Sequence, residues 1–436
     1  MLNSDDWAHL KEGFRMRPIF SLCLAVAAAG CAQPPASSPM PALPQLPSAA
    51  QPLAGSGYKV IYSFQRARYG KSPNGLVALK GALYGTTFFG GANGDKGEVF
   101  RITPAGQAHI VHSFSGYPSD GESPVDAPLA VKDVLYGTTY SGGSVLCYGS
   151  SGYSGCGAVF KVTPSGAEKI LHSFSDKSND GINPVGGLTA MNGALYGVTD
   201  YGGGNACSQI SESHYGCGIV FTLSTSGAER MLHAFRGAPY DGAFAIAGLT
   251  ALNGKLYGTT IGGGIMNCYL GCGVVFEVST SGKERVLYSF YNGADGGAPE
   301  GNLVALNGRL YGTTASGGLS GNGTVFEIGT SGKERVLYSF RGGTDGAMPA
   351  AGLIALNSTL YGTTPFGGSR GCGSNNGCGT IFNVTTSGIE HVLYRFKGGI
   401  DGANPYTGLT ALNGILYGTT RVGGSANLGT VYRISP

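Results

Sequence analysis

Six aspartates recur in this chain in the same company, each followed by glycine: Asp120, Asp180, Asp241, Asp295, Asp345 and Asp401. Carboxylates repeated at so regular an interval suggest a ring of oxygen ligands, the chemistry that holds calcium and similar hard cations. The same dipeptide is also plain turn chemistry, because the aspartate side chain accepts hydrogen bonds from nearby backbone N–H groups. A residue that returns in nearly every unit of a repetitive chain is first a part of the unit, so the structural reading leads. Histidines tell a similar story. His112, His172 and His233 stand where the matching segments carry Tyr62, Tyr288, Tyr338 and Tyr394, and are read as scaffold substitutions. His109 and His391 lie on segments of the same type, and His9 precedes the expected start. Only His214 falls in a variable loop, close to Glu212. A single His/Glu pair is the minimum for general acid–base work. No nucleophile elbow, phosphate loop or metal motif accompanies it, so no catalytic residue, metal or cofactor is assigned.

Binding chemistry is better represented. The longest variable loops carry Tyr148, Tyr153, Tyr201, Tyr215, Tyr269 and Phe366, with Asn205, Asn267, Asn375 and Asn376 among them. Rigid loops presenting aromatic faces and amides suit stacking on sugar rings and hydrogen bonding to hydroxyls. The alternative is that these rings merely cover the ends of the fold. The single tryptophan, Trp7, lies outside the repeats, which speaks against a dedicated glycan site.

What must position these residues is a repeat. The phrase LYGTT, once LYGVT, starts at Leu83, Leu135, Leu195, Leu256, Leu310, Leu360 and Leu416, at intervals of 50 to 61 residues. Such spacing signals a repeat architecture. A GL-x-AL segment precedes each phrase, a double glycine follows it, then G-x-V/I-F, then a segment ending in SF. These are four short strand-like segments, a to d, with turn residues between them and no amphipathic helical stretch. Asn-Gly at 192–193, 253–254, 307–308 and 413–414 predicts tight type I′ hairpins between a and b. Successive hairpins make each unit a four-stranded antiparallel sheet, and sheets of this kind pack around an axis as propeller blades.

The ends of the chain are complementary. YKVIYSF at 58–64 is a d segment without a c segment before it, and GTVYRISP at 429–436 is a c segment without a d after it. The expectation is an all-β, seven-bladed propeller spanning 57–436, in which the N-terminal strand completes the last blade. The glycine inside each LYG phrase is expected to leave room for an aromatic from the adjacent blade. In such a ring the a–b and c–d turns emerge on one face. The b–c and d–a loops emerge on the other, and every candidate binding residue named above falls on that second, loop-rich face.

The units LYGTT…GG…GTVF…SG…LYSF resemble the bacterial choice-of-anchor GloVer tandem repeat over residues 58–436, and kelch blades more distantly. The resemblance implies a cell-surface protein held by one of several anchors, and implies no particular activity.

Ten cysteines and the N-terminus set the compartment. Arg15 and Arg17 flank Met16, the expected true start, and an apolar stretch ends in Ala28-Ala29-Gly30-Cys31. Residues 1–30 are read as a signal peptide. The segment resembles a lipobox, which implies lipidation of Cys31; the alternative is ordinary cleavage and soluble secretion. A Pro/Ser/Ala-rich tether follows over 31–56. The remaining cysteines form four local pairs, Cys147/Cys156, Cys207/Cys217, Cys268/Cys272 and Cys372/Cys378, one in each long b–c loop, as exported disulfides would be. Zinc is the weaker reading of Cys268/Cys272 or Cys372/Cys378, because no histidine or second pair lies in the same loop. Charged residues are 12% of the chain and the net charge is +3 without clusters, so no nucleic-acid footprint exists. The reading is a monomeric, envelope-displayed binding module for glycan or protein, touching membrane only through the lipid. A polysaccharide-processing enzyme with its site at the mouth and a purely structural envelope protein are the alternatives.

Overall fold

The computed structural model describes residues 57–65, 70–149, 152–204, 207, 216–369, 372 and 376–436. The signal segment, the tether and Cys31 lie outside them. One compact unit, residues 52–148 with 154–436, carries every element below.

Within it, seven sheets each hold a four-stranded antiparallel blade in the order a-b-c-d. Blade 4 is typical: a is Thr250–Leu252, b is Lys255–Thr260, c is Val274–Val278 and d is Glu284–Ser289. Positive φ at both turn residues makes the a–b hairpin type I′, as Asn-Gly predicts. Asn253 has φ 51° and Gly254 φ 76°. Blade 6 makes the same turn from Asn357 and Ser358, at φ 49° and 64°, without glycine. In blade 7 the outer strand is Lys59–Ser63, paired antiparallel with Thr430–Ile434 from Lys59 opposite Arg433 to Ser63 opposite Thr430.

Blades are joined by one repeated aromatic contact. The d-strand phenylalanine of each blade meets the c-strand aromatic of the next edge-on, with ring centroids 5.0–5.4 Å apart, in all seven junctions from Phe64–Phe100 to Phe396–Tyr432. These rings are buried, and edge-to-face pairs of this kind add ~0.5–1.5 kcal/mol each beyond the area they bury. The two threonines of the repeat phrase have separate tasks. The first donates across the junction to a backbone carbonyl of the next blade, as from Thr313 to Ala351 (3.0 Å), Thr363 to Thr407 (3.0 Å) and Thr419 to Asn74 (3.0 Å). The second stays in its own blade, as when Thr364 donates to Phe366 O at 2.9 Å. Where Val198 replaces the first threonine, that cross-blade bond has no donor.

The glycine of the phrase makes room for a neighbour in its own sheet, not for the adjacent blade as the sequence suggested. A Cβ on Gly258 would lie 2.6 Å from Cζ of Phe276 and 2.9 Å from Leu249. Phe276 is the residue directly paired with Gly258 across the ladder. The c-strand ring folds back over its partner strand, so the space is needed within the blade, and the same ring still meets the preceding blade's phenylalanine.

The sequence suggests loops for the d–a connections, yet four of them contain strand. In blade 1 Lys71 pairs with Phe89 and Pro73 with Thr87. Gly121–Pro124 and Gly181–Pro184 pair with the far ends of their b strands, and Gly242–Ala243 pairs with Gly262–Gly263. The b strand runs on past its threonines and offers free backbone there, which the returning chain takes up.

Candidate functional site

On the loop-rich face the four predicted disulfides are closed, with Cα atoms 5.1, 4.9, 5.1 and 5.3 Å apart for Cys147–Cys156, Cys207–Cys217, Cys268–Cys272 and Cys372–Cys378. Each clips a long b–c loop at the foot of its c strand. Such bonds belong to an oxidising compartment outside the cytosol. Among the described residues no helix is long and apolar enough to cross a membrane.

Ten large hydrophobic side chains stand exposed among the described residues, and eight of them project from this one face. Tyr117, Tyr240, Tyr291 and Ile400 come from d–a loops; Leu146, Met266, Tyr269 and Leu319 come from b–c loops. Tyr240 is 89% exposed, Leu319 84%, Ile400 80% and Tyr269 72%. The opposite face contributes only Ile389 of its c–d turn, and Ile110 lies along a d strand. Loop tips are ordinarily polar, and here the exposed apolar ones are gathered at one end.

Of the predicted aromatics, Tyr269 is therefore displayed. Tyr201 is half-buried and packs edge-on against Phe244 at 5.7 Å. Phe366, also half-buried, packs against Tyr406 at 5.9 Å, over whose ring Arg421 sits at 5.4 Å. These two belong to the wall between the blades. Tyr215, His214, Asn205 and Asn375 lie outside the described residues, as do the side chains of Tyr148 and Tyr153.

The six aspartates do scaffold work. Asp241 accepts from Arg236 N (3.0 Å) and Gly242 N (2.7 Å); Asp345 accepts from Arg341 N (2.7 Å); Asp401 accepts from Lys397 N (2.8 Å). Asp120, Asp180 and Asp295 cap their own loops likewise. The aspartates do not make one common ring of ligands, because each carboxylate is turned into its own d–a turn, beside its own d-strand neighbour.

Each aspartate is also held by the aromatic residue at one fixed position of the preceding d strand. In three junctions this is tyrosine, donating from Tyr288 to Asp295 (3.1 Å), Tyr338 to Asp345 (2.8 Å) and Tyr394 to Asp401 (2.6 Å). In the other three it is histidine Nε2, at 3.1 Å for His112–Asp120, 3.4 Å for His172–Asp180 and 3.1 Å for His233–Asp241. A third residue arrives from the next blade. Gly166, at φ 93°, sits against the carbonyl of Val111, which brings the start of blade 2's d strand over the end of blade 1's. Glu168 is thereby placed beside His112 and Asp120, and Glu229, Glu284, Glu334 and Glu390 hold the same position in blades 3 to 6. Burial, with the neighbouring aspartate behind it, pushes Glu168, Glu284 and Glu334 up to about 7 and Glu390 to about 8. In blade 7 Tyr58 stands there instead, stacked on Tyr394 at 3.8 Å.

Three features escape sequence reading. At the axis, Asp126 accepts from Gly187 N (2.9 Å) of the next blade, and its carboxylate lies within hydrogen-bonding reach of the Asn302 side chain. Asn302 in turn accepts from Gly248 N (2.6 Å). Residues of blades 2 and 5 thus meet across the centre, beside Glu300, which surrounding protein pushes up to about 7. Asp200 lies near the end of the b strand of blade 3, only 1% exposed and raised by burial to about 7, with Oδ2 lacking any hydrogen-bond partner. Glu98 opens the c strand of blade 1, fully buried, with neither oxygen in a hydrogen bond of good geometry, and burial outweighs the nearby Ser113 hydroxyl to raise it to about 8. A signal was present in the alignment of the repeats. Glu98 stands where the others have Ala158, Ile219, Val274, Thr324, Thr380 and Thr430, and Asp200 where they have Phe88, Tyr140, Ile261, Ala315, Pro365 and Arg421.

Set against known proteins, a family model for the Gloeobacter/Verrucomicrobia repeat matches residues 51–269 and again 207–432. No curated protein matches the chain. Among solved structures the chain is similar to a luciferin-regenerating enzyme, at 15% identity over 74% of this chain and 92% of that one, with a TM-score of 0.41. It is also similar to a puromycin hydrolase, at 11% identity over 81% of this chain and 50% of that one, with a TM-score of 0.47. A gluconolactonase from Xanthomonas campestris is similar at 12% identity over 73% of this chain and 97% of that one, with a TM-score of 0.38. At such values the likeness concerns fold alone.

Proposed function

For this chain, which belongs to the Gloeobacter/Verrucomicrobia repeat family, we propose a binding module that works outside the cytosol and engages a macromolecular partner through its loop-rich face. The observation that carries this reading is the concentration of exposed apolar tips at that end, against one at the other. Half of the eight are aliphatic or thioether side chains, which offer no flat ring for a sugar. A protein surface is therefore the better fit than a glycan, since anchors of this kind are what fill pockets on a protein partner. The disulfides hold the longer loops in place before contact, which reduces the ordering cost of binding. We further propose that Cys31 carries a lipid and that residues 32–56 let the ring stand off the envelope; Cys31→Ser should release the protein from membranes into the medium, and an unchanged membrane fraction would remove the anchor from the account.

The face itself is tested by photo-crosslinking. A benzophenone amino acid introduced at Tyr240, Tyr269, Leu319 and Ile400 should trap a discrete partner in cells of the producing organism, whereas the same group at Ile389 should not. Equal adducts from both faces, or none from the four loop positions, would overturn the reading.

A further inference from the structure

We propose that three successive blade junctions are divalent transition-metal sites, built from His112/Asp120/Glu168, His172/Asp180/Glu229 and His233/Asp241/Glu284. In each trio one donor atom per residue lies within 4.8 Å of the other two. A cation bound at ~2.0–2.2 Å to nitrogen and oxygen donors holds its ligands roughly 3–4 Å apart, so the donors already stand near their bound spacing. The imidazole Nε2 is the nitrogen turned toward the carboxylates, and in the third trio Glu284 Oε2 lies 4.0 Å from it.

Ligand chemistry selects the class of ion. One imidazole with two carboxylates suits zinc and its first-row neighbours, while calcium prefers six to eight oxygens. Charge balances as well, because two carboxylates and a neutral imidazole exactly offset a divalent cation. The backbone N–H groups that cap each aspartate fix its orientation, as outer partners of metal ligands do. In all three trios Oε1 of the glutamate is buried without a hydrogen-bond partner, a polar atom left for something to occupy. The histidine side chains remain 17–20% exposed, so solvent reaches each trio, and a water is the natural fourth ligand.

The molecule supplies its own control. Glu334 and Glu390 sit against Tyr288–Asp295 and Tyr338–Asp345 in the same geometry, with the same buried oxygen, so the carboxylate pair is common to both kinds of junction. A tyrosine in this slot is held protonated by its surroundings and donates a hydrogen bond to aspartate. It makes a poor ligand. Histidine alone converts the joint into a site.

The test uses the full chain, stripped with EDTA, dialysed, and titrated with zinc and with cobalt. Metal content and the visible absorption of bound cobalt give the stoichiometry. Three equivalents are expected, with one lost for each of His112→Tyr, His172→Tyr and His233→Tyr, and none retained by the triple variant. Tyrosine is native to this position in the other four d strands, so these variants should fold, and unchanged melting in EDTA checks that they do. As a second arm, Glu168→Gln, Glu229→Gln and Glu284→Gln should each weaken the matching site roughly tenfold or more while leaving the histidines in place. Failure of the wild type to retain any equivalent at micromolar zinc, or retention of all three by the triple tyrosine variant, would overturn the proposal.

Discussion

The junctions after blades 1, 2 and 3 and those after blades 4 and 5 are the same joint with one side chain exchanged; the junction after blade 6 also carries Tyr58 in place of the glutamate. Both cap a d–a turn with aspartate, and both hold that aspartate from the preceding d strand, by histidine in the first group and tyrosine in the second. The exchange leaves the geometry almost untouched. It replaces a hydroxyl that can only serve the scaffold well with a ring nitrogen that can serve either the scaffold or a metal. A repeat protein can thus carry new chemistry at a position whose structural task is already met by its sister repeats, and the unaltered half remains as an internal reference.

The largest effect that would break this comparison comes from the shared aspartate. Asp241→Ala and Asp345→Ala should each cost about 2–3 kcal/mol in urea unfolding with EDTA present, because each leaves backbone N–H groups of a turn without an acceptor. Were Asp241→Ala neutral without metal while Asp345→Ala was costly, the two joints would not be equivalent scaffolds.

A second contrast sets blade 1 against blades 5 to 7. In the latter, the threonine opening the c strand pairs with the second threonine of the phrase, as for Thr314 and Thr324 at 2.9 Å and Thr420 and Thr430 at 2.8 Å. In blade 1 the partner position is Glu98, and Thr87 Oγ1 is left without a partner. Burial raises Glu98 from 4.5 to about 8 in the folded chain. Its neutral form is the one the fold accepts, so stability falls as pH rises from about 4.5, where the unfolded chain begins to ionise, to about 8, and then levels off. Glu98→Thr should stabilise the protein at pH 8 by about 1–2 kcal/mol and change little at pH 4.5. A gain of equal size at both pH values would mean that packing, and not the buried acid, separates these blades.

The smallest effect lies at the exchanged residue itself. Without metal, His172→Tyr should shift unfolding by less than about 0.5 kcal/mol, whereas Tyr338→Phe, which deletes the bond to Asp345, should cost about 1 kcal/mol. A large penalty for His172→Tyr in EDTA would show that the histidine joint has diverged in shape as well as in chemistry.

Much of this was legible in the sequence because it is local. Asn-Gly dictates the a–b hairpins, alternating apolar segments dictate the strands, and a cysteine at each foot of a long loop dictates the disulfides. What was not legible depends on which strands become neighbours. The ring of Phe276 lying over Gly258 follows from pairing register, which a list of glycines and aromatics does not contain. The meeting of Asp126 with Asn302 joins blades 2 and 5 across the axis, and the approach of Glu168 to His112 depends on how steeply one d strand crosses the next. Single departures from the repeat, such as Glu98 and Asp200, were visible in the alignment of the seven units and mark the buried carboxyls now found there.

The closed ring requires that blade 7 is finished by the start of the chain, and this is the point to strike. Lys59 and Arg433 face one another across that outermost pairing. In an otherwise cysteine-matched protein, Lys59→Cys with Arg433→Cys should form a fifth disulfide on mild oxidation, seen as a crosslinked peptide by mass spectrometry, while Lys59→Cys paired with Arg335→Cys should not. A 59–433 crosslink that fails to form, or forms no faster than the 59–335 control, would contradict the closed ring of seven blades.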